Sequence, residues 1–323
     1  MRIHSPVLIA AAGSLLALTA CSSEADSASG TRIVAASYPF AYVAEQVGGD
    51  AVDVENLTSP GVEPHDLELA PKQVAAVQDA DLAVFETGFQ AAVDDAVEEA
   101  DLSDDASLDV ADVVTLREAE EGHDHEHEEE GHDHEHEDES EHEGDDHDHG
   151  GLDPHVWLDP TNMIAIADAT AERLVEIDPD NADTFKKNAR DFGKRLRALD
   201  KQYETGLANC KRSTIVTSHE AFGYLAARYD LEQVGIAGLD PGSEPSPEQL
   251  ADITDLVRKD GITTIFTEEL VSPAVAETVA DETGADVATL DPIEGLSDDT
   301  ANETYVSLME QNLDALKEAN GCR

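Results

Sequence analysis

The stretch Ala182–Leu207, ADTFKKNARDFGKRLRALDKQYETGL, sets the frame for the rest of the chain. Its apolar positions Phe185, Ala189, Phe192, Leu196, Leu199, Tyr203 and Leu207 recur three or four residues apart, which puts them on one face of an α-helix. Most of the remaining positions are charged or polar. One continuous apolar stripe of this kind predicts a helix lying along two lobes.

Upstream of it, Asp159-Pro160 reads as a helix N-cap with proline at the first helical position. That helix runs to about Ile177, where Asp178-Pro179 stops it. Further back, strand-like runs at residues 32–37, 52–57 and 82–85 alternate with helical ones after Pro39 and at 71–79 and 90–100, with short β segments within 107–116. Downstream the alternation resumes. Strands are expected at 213–217, 262–267 and 287–290. Helices are expected at 221–229, from the capping box Ser246-Pro247-Glu248-Gln249 to Gly261, from Ser272-Pro273 to Gly284, and at 300–319. The predicted fold is α/β: two lobes, each a mainly parallel sheet flanked by helices, joined by one long helix. The expected boundaries are 31–180 for the first lobe, 181–209 for the connecting helix and 210–323 for the second lobe.

The N-terminus has the order of an export signal: Arg2, an apolar run over residues 7–18, then Leu18-Thr19-Ala20-Cys21. The last four residues resemble a bacterial lipobox, so residues 1–20 are expected to be removed and Cys21 lipidated, with 21–30 as a linker. No other apolar run approaches the roughly 20 residues of a membrane span. The mature protein is expected outside the cytoplasm, held to the outer face of the cell membrane by lipid. In that compartment Cys210 and Cys322 read as a disulfide pair.

Residues 122–150 are almost entirely His, Glu, Asp and Gly, with no apolar side chain to bury. They hold nine histidines, His123, His125, His127, His132, His134, His136, His142, His147 and His149. Alternating imidazole and carboxylate reads as a flexible, auxiliary metal-gathering segment. The formal net charge is −54, and the chain outside this segment is still strongly acidic. Nucleic-acid binding is excluded on that ground, since phosphate contact needs clustered Lys and Arg.

Apart from the His-rich run and the signal segment, only His65, His155 and His219 remain. Each falls after an expected strand or beside proline-rich turn residues, and Asp291 likewise ends the 287–290 strand. Ligands of open α/β sheets bind outside the carboxyl ends of strands, so these four residues are expected to meet in the cleft between lobes. Three imidazoles and a carboxylate suit Zn²⁺, and four protein donors leave no open position to activate water. Imidazole binds metal only when neutral, so affinity should fall as pH drops through roughly 6.5.

Four segments carry a family resemblance. Val62-Glu63-Pro64-His65-Asp66, Asp153-Pro154-His155-Val156-Trp157-Leu158-Asp159-Pro160, Thr217-Ser218-His219-Glu220-Ala221-Phe222-Gly223-Tyr224-Leu225 and the Asp291 segment resemble zinc-binding lipoproteins of bacterial ABC importers. The resemblance implies a carrier with a rigid connecting helix that delivers Zn²⁺ from the cleft to an ABC permease and its ATPase; a monomer is expected. It assigns metal ligation to His65, His155 and His219, with Asp291 as the variable fourth position. Manganese-binding relatives are also similar but typically place a carboxylate where His219 stands. An exported zinc hydrolase is the competing class, but Gly223 occupies the position of the second His in His-Glu-x-x-His. An exported metal buffer or adhesin is a third reading.

Overall fold

A computed structural model of the protein describes residues 30–118 and 151–323. The signal segment, Cys21 and the nine histidines of residues 122–150 lie outside the described residues.

Two four-stranded parallel sheets organise the chain. The first holds β1 (Thr31–Ala35), β2 (Val52–Asn56), β3 (Leu82–Phe85) and β4 (Ser107–Asp109) in the order β2-β1-β3-β4. Its helices are α1 (Tyr38–Gly48), α2 (Pro71–Gln78) and α3 (Ala91–Ala100). A two-stranded antiparallel pair follows, β5 (Arg117–Glu118) with β6 (Leu152–Asp153), in the register Arg117 to Asp153 and Glu118 to Leu152. After α4 (Pro160–Ile177) and α5 (Ala182–Leu207) comes the second sheet, β7 (Thr214–Thr217), β8 (Glu232–Gly235), β9 (Thr264–Thr267) and β10 (Asp286–Thr289). Its order is β10-β9-β7-β8, with helices α6 (Gly223–Arg228), α7 (Pro247–Asp260), α8 (Ala274–Thr283) and α9 (Tyr305–Asn320). Read from the other edge, the second sheet repeats the first: its second, first, third and fourth strands stand side by side.

Helix α5 behaves as its stripe requires. Phe185, Ala189, Phe192, Leu196, Leu199, Tyr203 and Leu207 are all buried. Each large apolar side chain removed from water contributes about 1.5–3 kcal/mol, so the stripe anchors α5 against both halves. Asn188 Nδ2 donates to the Val47 carbonyl of α1 at 3.0 Å, and Tyr203 Oη donates to the Met309 carbonyl of α9 at 2.6 Å. At the start of α4, Asp159 caps the helix by accepting from the Thr161 N–H, with Pro160 at the first helical position.

The element bounds differ from the sequence reading in a few places. The β character expected over 107–116 is confined to β4, after which Val110–Asp112 forms a 3-10 turn, with Asp109 accepting from the Ala111 N–H. The last helix starts at Tyr305 rather than near 300, because Thr304 caps it through the Ser307 N–H. Strands β8, β5 and β6 were not foreseen. Cys210 and Cys322 are disulfide-bonded, tying the end of α9 to the end of α5.

Candidate metal centre

His65, His155 and His219 come together, and the carboxylate among them is Glu294. Asp291, expected in that place, is not one of the converging side chains. Its Oδ1 accepts the Ile293 N–H at 2.7 Å, and the chain turns between the two acids so that Glu294 reaches the histidines.

Each side chain is placed by its own neighbourhood. His65 sits in the turn after β2. There the Glu63 carboxylate accepts the N–H groups of His65 and Asp66, each at 3.1 Å, and Gln90 Nε2 donates to the Pro64 carbonyl. Phe89 and the His65 ring pack edge to face, with centroids 5.0 Å apart. His155 follows β6 and opens a 3-10 turn, Val156–Leu158, that buries Trp157 in the core. His219 follows β7, the strand next to β9 at the point where the strand order reverses. Thr217 Oγ1 donates to the His219 carbonyl there at 2.6 Å. This is the position at which open α/β sheets present ligand-binding residues.

Two further acids orient the imidazoles. Asp153 Oδ1 lies 2.8 Å from His155 Nδ1 and also accepts the His155 backbone N–H at 2.9 Å. Glu268, at the end of β9, does the same for His219, with Oε2 2.7 Å from Nδ1 and Oε1 3.1 Å from the backbone nitrogen. With Nδ1 bound to a carboxylate, the Nε2 atom is the one left to face the cluster. Carboxylates behind histidines are the usual support of a metal site, fixing ring orientation and raising ligand basicity.

The Nε2 atoms of His65, His155 and His219 lie 3.6, 3.0 and 3.2 Å from Glu294 Oε1, and those of His155 and His219 are 3.3 Å apart. Zn²⁺ bound tetrahedrally at its normal distances holds its donors about 3.3–3.4 Å from one another, so these separations are close to the edges of that tetrahedron. His155 and His219 are fully buried, and Glu294 nearly so. Among the described residues His65 Nε2 is a buried atom with no hydrogen-bond partner, as suits a metal-binding nitrogen.

The electrostatics favour exchange of protons for a cation. Burial disfavours the imidazolium at His219, yet the Glu268 and Glu294 carboxylates outweigh it and push the pKa up to about 10. At His155 burial acts the same way, and hydrogen bonds to the Asp153 and Glu294 carboxylates again win, raising its pKa. Burial alone would raise Glu294, but the His155 and His219 imidazoles at 3.0 and 3.2 Å, with His65 close by, hold it well below the usual carboxylate range. A buried site that keeps positive charge beside carboxylates is suited to a divalent ion with neutral imidazoles.

A family model described as zinc-uptake complex component A, periplasmic (ZnuA) matches residues 33–319. Zinc-binding lipoprotein AdcA of Streptococcus pneumoniae is 39% identical over 310 residues, 94% of this chain. The chain spans 58% of that relative's length. High-affinity zinc uptake system protein ZnuA of Bacillus subtilis is 36% identical over 316 residues, covering 97% of this chain and 94% of the relative. Among solved structures, Zn(II)-bound AdcA from Streptococcus pneumoniae superposes with a TM-score of 0.72 at 35% identity, over 90% of this chain and 58% of that one.

Proposed function

The chain belongs to the zinc-uptake complex component A family, and from that premise we propose that it captures Zn²⁺ between its two halves and delivers it to an ABC permease and its ATPase. The observation that carries this reading is the convergence of three Nε2 atoms on Glu294 Oε1 at 3.0–3.6 Å, near the donor spacing of a tetrahedral zinc shell. His65, His155, His219 and Glu294 are the ligands in this reading. Three nitrogen donors favour zinc over manganese, which prefers an oxygen-rich site. Four protein donors fill the shell, leaving no position for an activated water, so the site binds and releases rather than catalyses. Among the described residues no helix is long and apolar enough to cross a membrane. In this reading the lipobox Cys21 supplies the attachment to the outer face of the membrane, and the nine histidines of residues 122–150 gather additional zinc for the cleft.

The test is metal analysis and competition titration of protein purified without a histidine tag. One tightly held zinc per chain is expected, displaced by chelators but not by excess manganese. The tight site should disappear in His65→Ala and in His219→Ala. Trp157 is the only tryptophan and its ring centroid is 5.5 Å from that of His155, so its fluorescence should report the binding. Manganese displacing zinc, or tight binding surviving His219→Ala, would overturn the assignment.

A further inference from the structure

The geometry points to Asp291 as the positioning residue for Glu294: it stays outside the donor cluster and holds the buried turn that carries Glu294 into it. This inference rests on the reading that the cluster binds zinc.

The turn Asp291-Pro292-Ile293-Glu294 is fastened at each step. The Asp291 N–H donates to Asn312 Oδ1 at 2.9 Å, and Asn312 Nδ2 returns a hydrogen bond to the Asp291 carbonyl at 2.6 Å. One amide side chain from α9 thus clamps the backbone of Asp291 on both sides. The Pro292 carbonyl accepts from Trp157 Nε1 at 2.7 Å, which joins this turn to the segment that bears His155. The Ile293 N–H donates to Asp291 Oδ1 at 2.7 Å.

Ile293 itself is the unusual residue. It is fully buried and has φ +60°, a left-handed conformation that a β-branched side chain rarely adopts. Such a backbone persists only where the surroundings over-determine it. Asp291 Oδ1 is the acceptor that satisfies the Ile293 N–H in this conformation, bonding two residues along the chain as aspartate does in turns. Without that acceptor the buried N–H loses its partner and the local reason for the left-handed bend. Glu294 Oε1, next in the chain, then loses its fixed place 3.0–3.6 Å from the three Nε2 atoms. A carboxylate expected at the strand end to bind metal instead aims the one that does.

The experiment is a zinc competition titration on Asp291→Asn, Asp291→Ala, Glu294→Gln and the Asp291→Ala/Glu294→Gln double variant, with folding followed by circular dichroism. Asp291→Asn keeps the Oδ1 acceptor and should stay within about threefold of the parent affinity. Asp291→Ala should lose about 10–100-fold, the range typical of removing a support behind a metal ligand. In the Glu294→Gln background the same Asp291→Ala change should cost nothing further, because Asp291 acts through Glu294. The cobalt(II) absorption spectrum of Asp291→Ala should shift toward that of Glu294→Gln, which a loss of stability alone would not produce. If Asp291→Ala does not fold, Asp291→Ser, with a shorter acceptor for the same N–H, is read by the same double-variant comparison. Full additivity in the double variant would make Asp291 a zinc ligand in its own right and overturn the inference. Unchanged affinity in folded Asp291→Ala would also overturn it. Absence of tight zinc from the parent protein would instead refute the proposed function.

Discussion

Gly223, the first residue of α6, faces Asp153 so closely that a Cβ at Gly223 would lie 2.5 Å from Asp153 Oδ2. Asp153 holds both Nδ1 and the backbone nitrogen of His155. A glycine in the second half of the chain therefore leaves room for the carboxylate that orients His155 in the first half. Tyr224, the next residue, donates its hydroxyl to the Asp153 carbonyl at 3.0 Å, so the backbone there is fixed.

This closeness gives the first prediction. Gly223→Ala must displace the Asp153 side chain, since contacts under 3 Å to a heavy atom are not tolerated. His155 then loses the carboxylate that fixes its ring, and zinc affinity should fall about 10–100-fold. The zinc-free protein should remain folded, because alanine has the better helix propensity. Competition titration beside a thermal melt checks both halves. Unaltered affinity in a folded variant would mean that Asp153 does not set the site.

The second prediction concerns protons. His219 has its pKa pushed up to about 10, so at neutral pH it holds a proton in the metal-free site, and His155 is shifted the same way. Zinc must displace those protons, and affinity should rise with pH well above the value of roughly 6.5 at which a free imidazole titrates. The sign for stability is the reverse in the metal-free protein. A raised folded-state pKa contributes stability that is fully present below about 6.5 and lost as pH rises through about 10. The melting temperature of the metal-free protein should fall across that window, and the zinc-stabilised increment should grow. Calorimetry at pH 7 in buffers of different ionisation enthalpy should show proton release. Identical heats in all buffers would contradict the electrostatic account.

Much of this arrangement is legible in the amino-acid sequence, and the failures have physical causes. Helix α5 is readable because seven apolar side chains keep helical spacing against a charged background. Helix α7 is readable because Ser246 and Gln249 form a capping box and Gly261 takes the left-handed cap. Strand β8 is not, since Glu232–Gly235 has one apolar side chain among four residues and exists through pairing with β7. The pair β5 and β6 has only two residues per strand and no adjacent turn to announce it. The histidines are conspicuous because so few lie outside the His-rich run. Glu294 is one of 73 acidic residues, and the strand-end rule points to Asp291 in its place. Glu294 rather than Asp291 joins the cluster after the left-handed bend at Ile293, and a left-handed β-branched residue breaks the local rules by which sequences are read. Glu268, by contrast, follows β9 directly, so the same rule could have found it.

The third prediction concerns the disulfide. Cys210 and Cys322 are 112 positions apart, and closing a loop of that size stabilises by about 4–5 kcal/mol in the chain-entropy model. The folded ends are already held, with the Lys211 N–H donating to the Asn320 carbonyl at 2.9 Å and the Arg323 N–H to the Asn209 carbonyl at 3.2 Å. The bond should therefore act mainly on the unfolded state. Reduction should lower the denaturant midpoint and leave zinc affinity unchanged. A midpoint indifferent to reductant would count against the linkage.

The last prediction separates the His-rich run from the cleft. Strands β5 and β6 pair Glu118 with Leu152 and Arg117 with Asp153, on either side of residues 119–150. Deleting residues 122–150 leaves 119–121 and Gly151 between the strands, within the roughly 2–5 residues that hairpin connections use. Asp153 then keeps its pairing with Arg117, and the Arg117 N–H keeps its hydrogen bond to Tyr224 Oη at 2.9 Å. The deletion should therefore leave His155 in place and preserve one tight zinc. What it removes is nine of the thirteen histidines, so stoichiometry above one should fall and capture from dilute zinc should slow. His219→Ala or His65→Ala should do the opposite, removing the tight site and sparing the weaker ones. Binding to the run should be the weaker of the two, because its sequence offers no apolar side chain with which to preorganise the donors before the ion arrives. Equilibrium dialysis gives the stoichiometry and stopped-flow Trp157 fluorescence gives the capture rate. If the deletion abolished tight binding while His65→Ala retained it, the principal ligands would lie in residues 122–150, and the cleft assignment would fall.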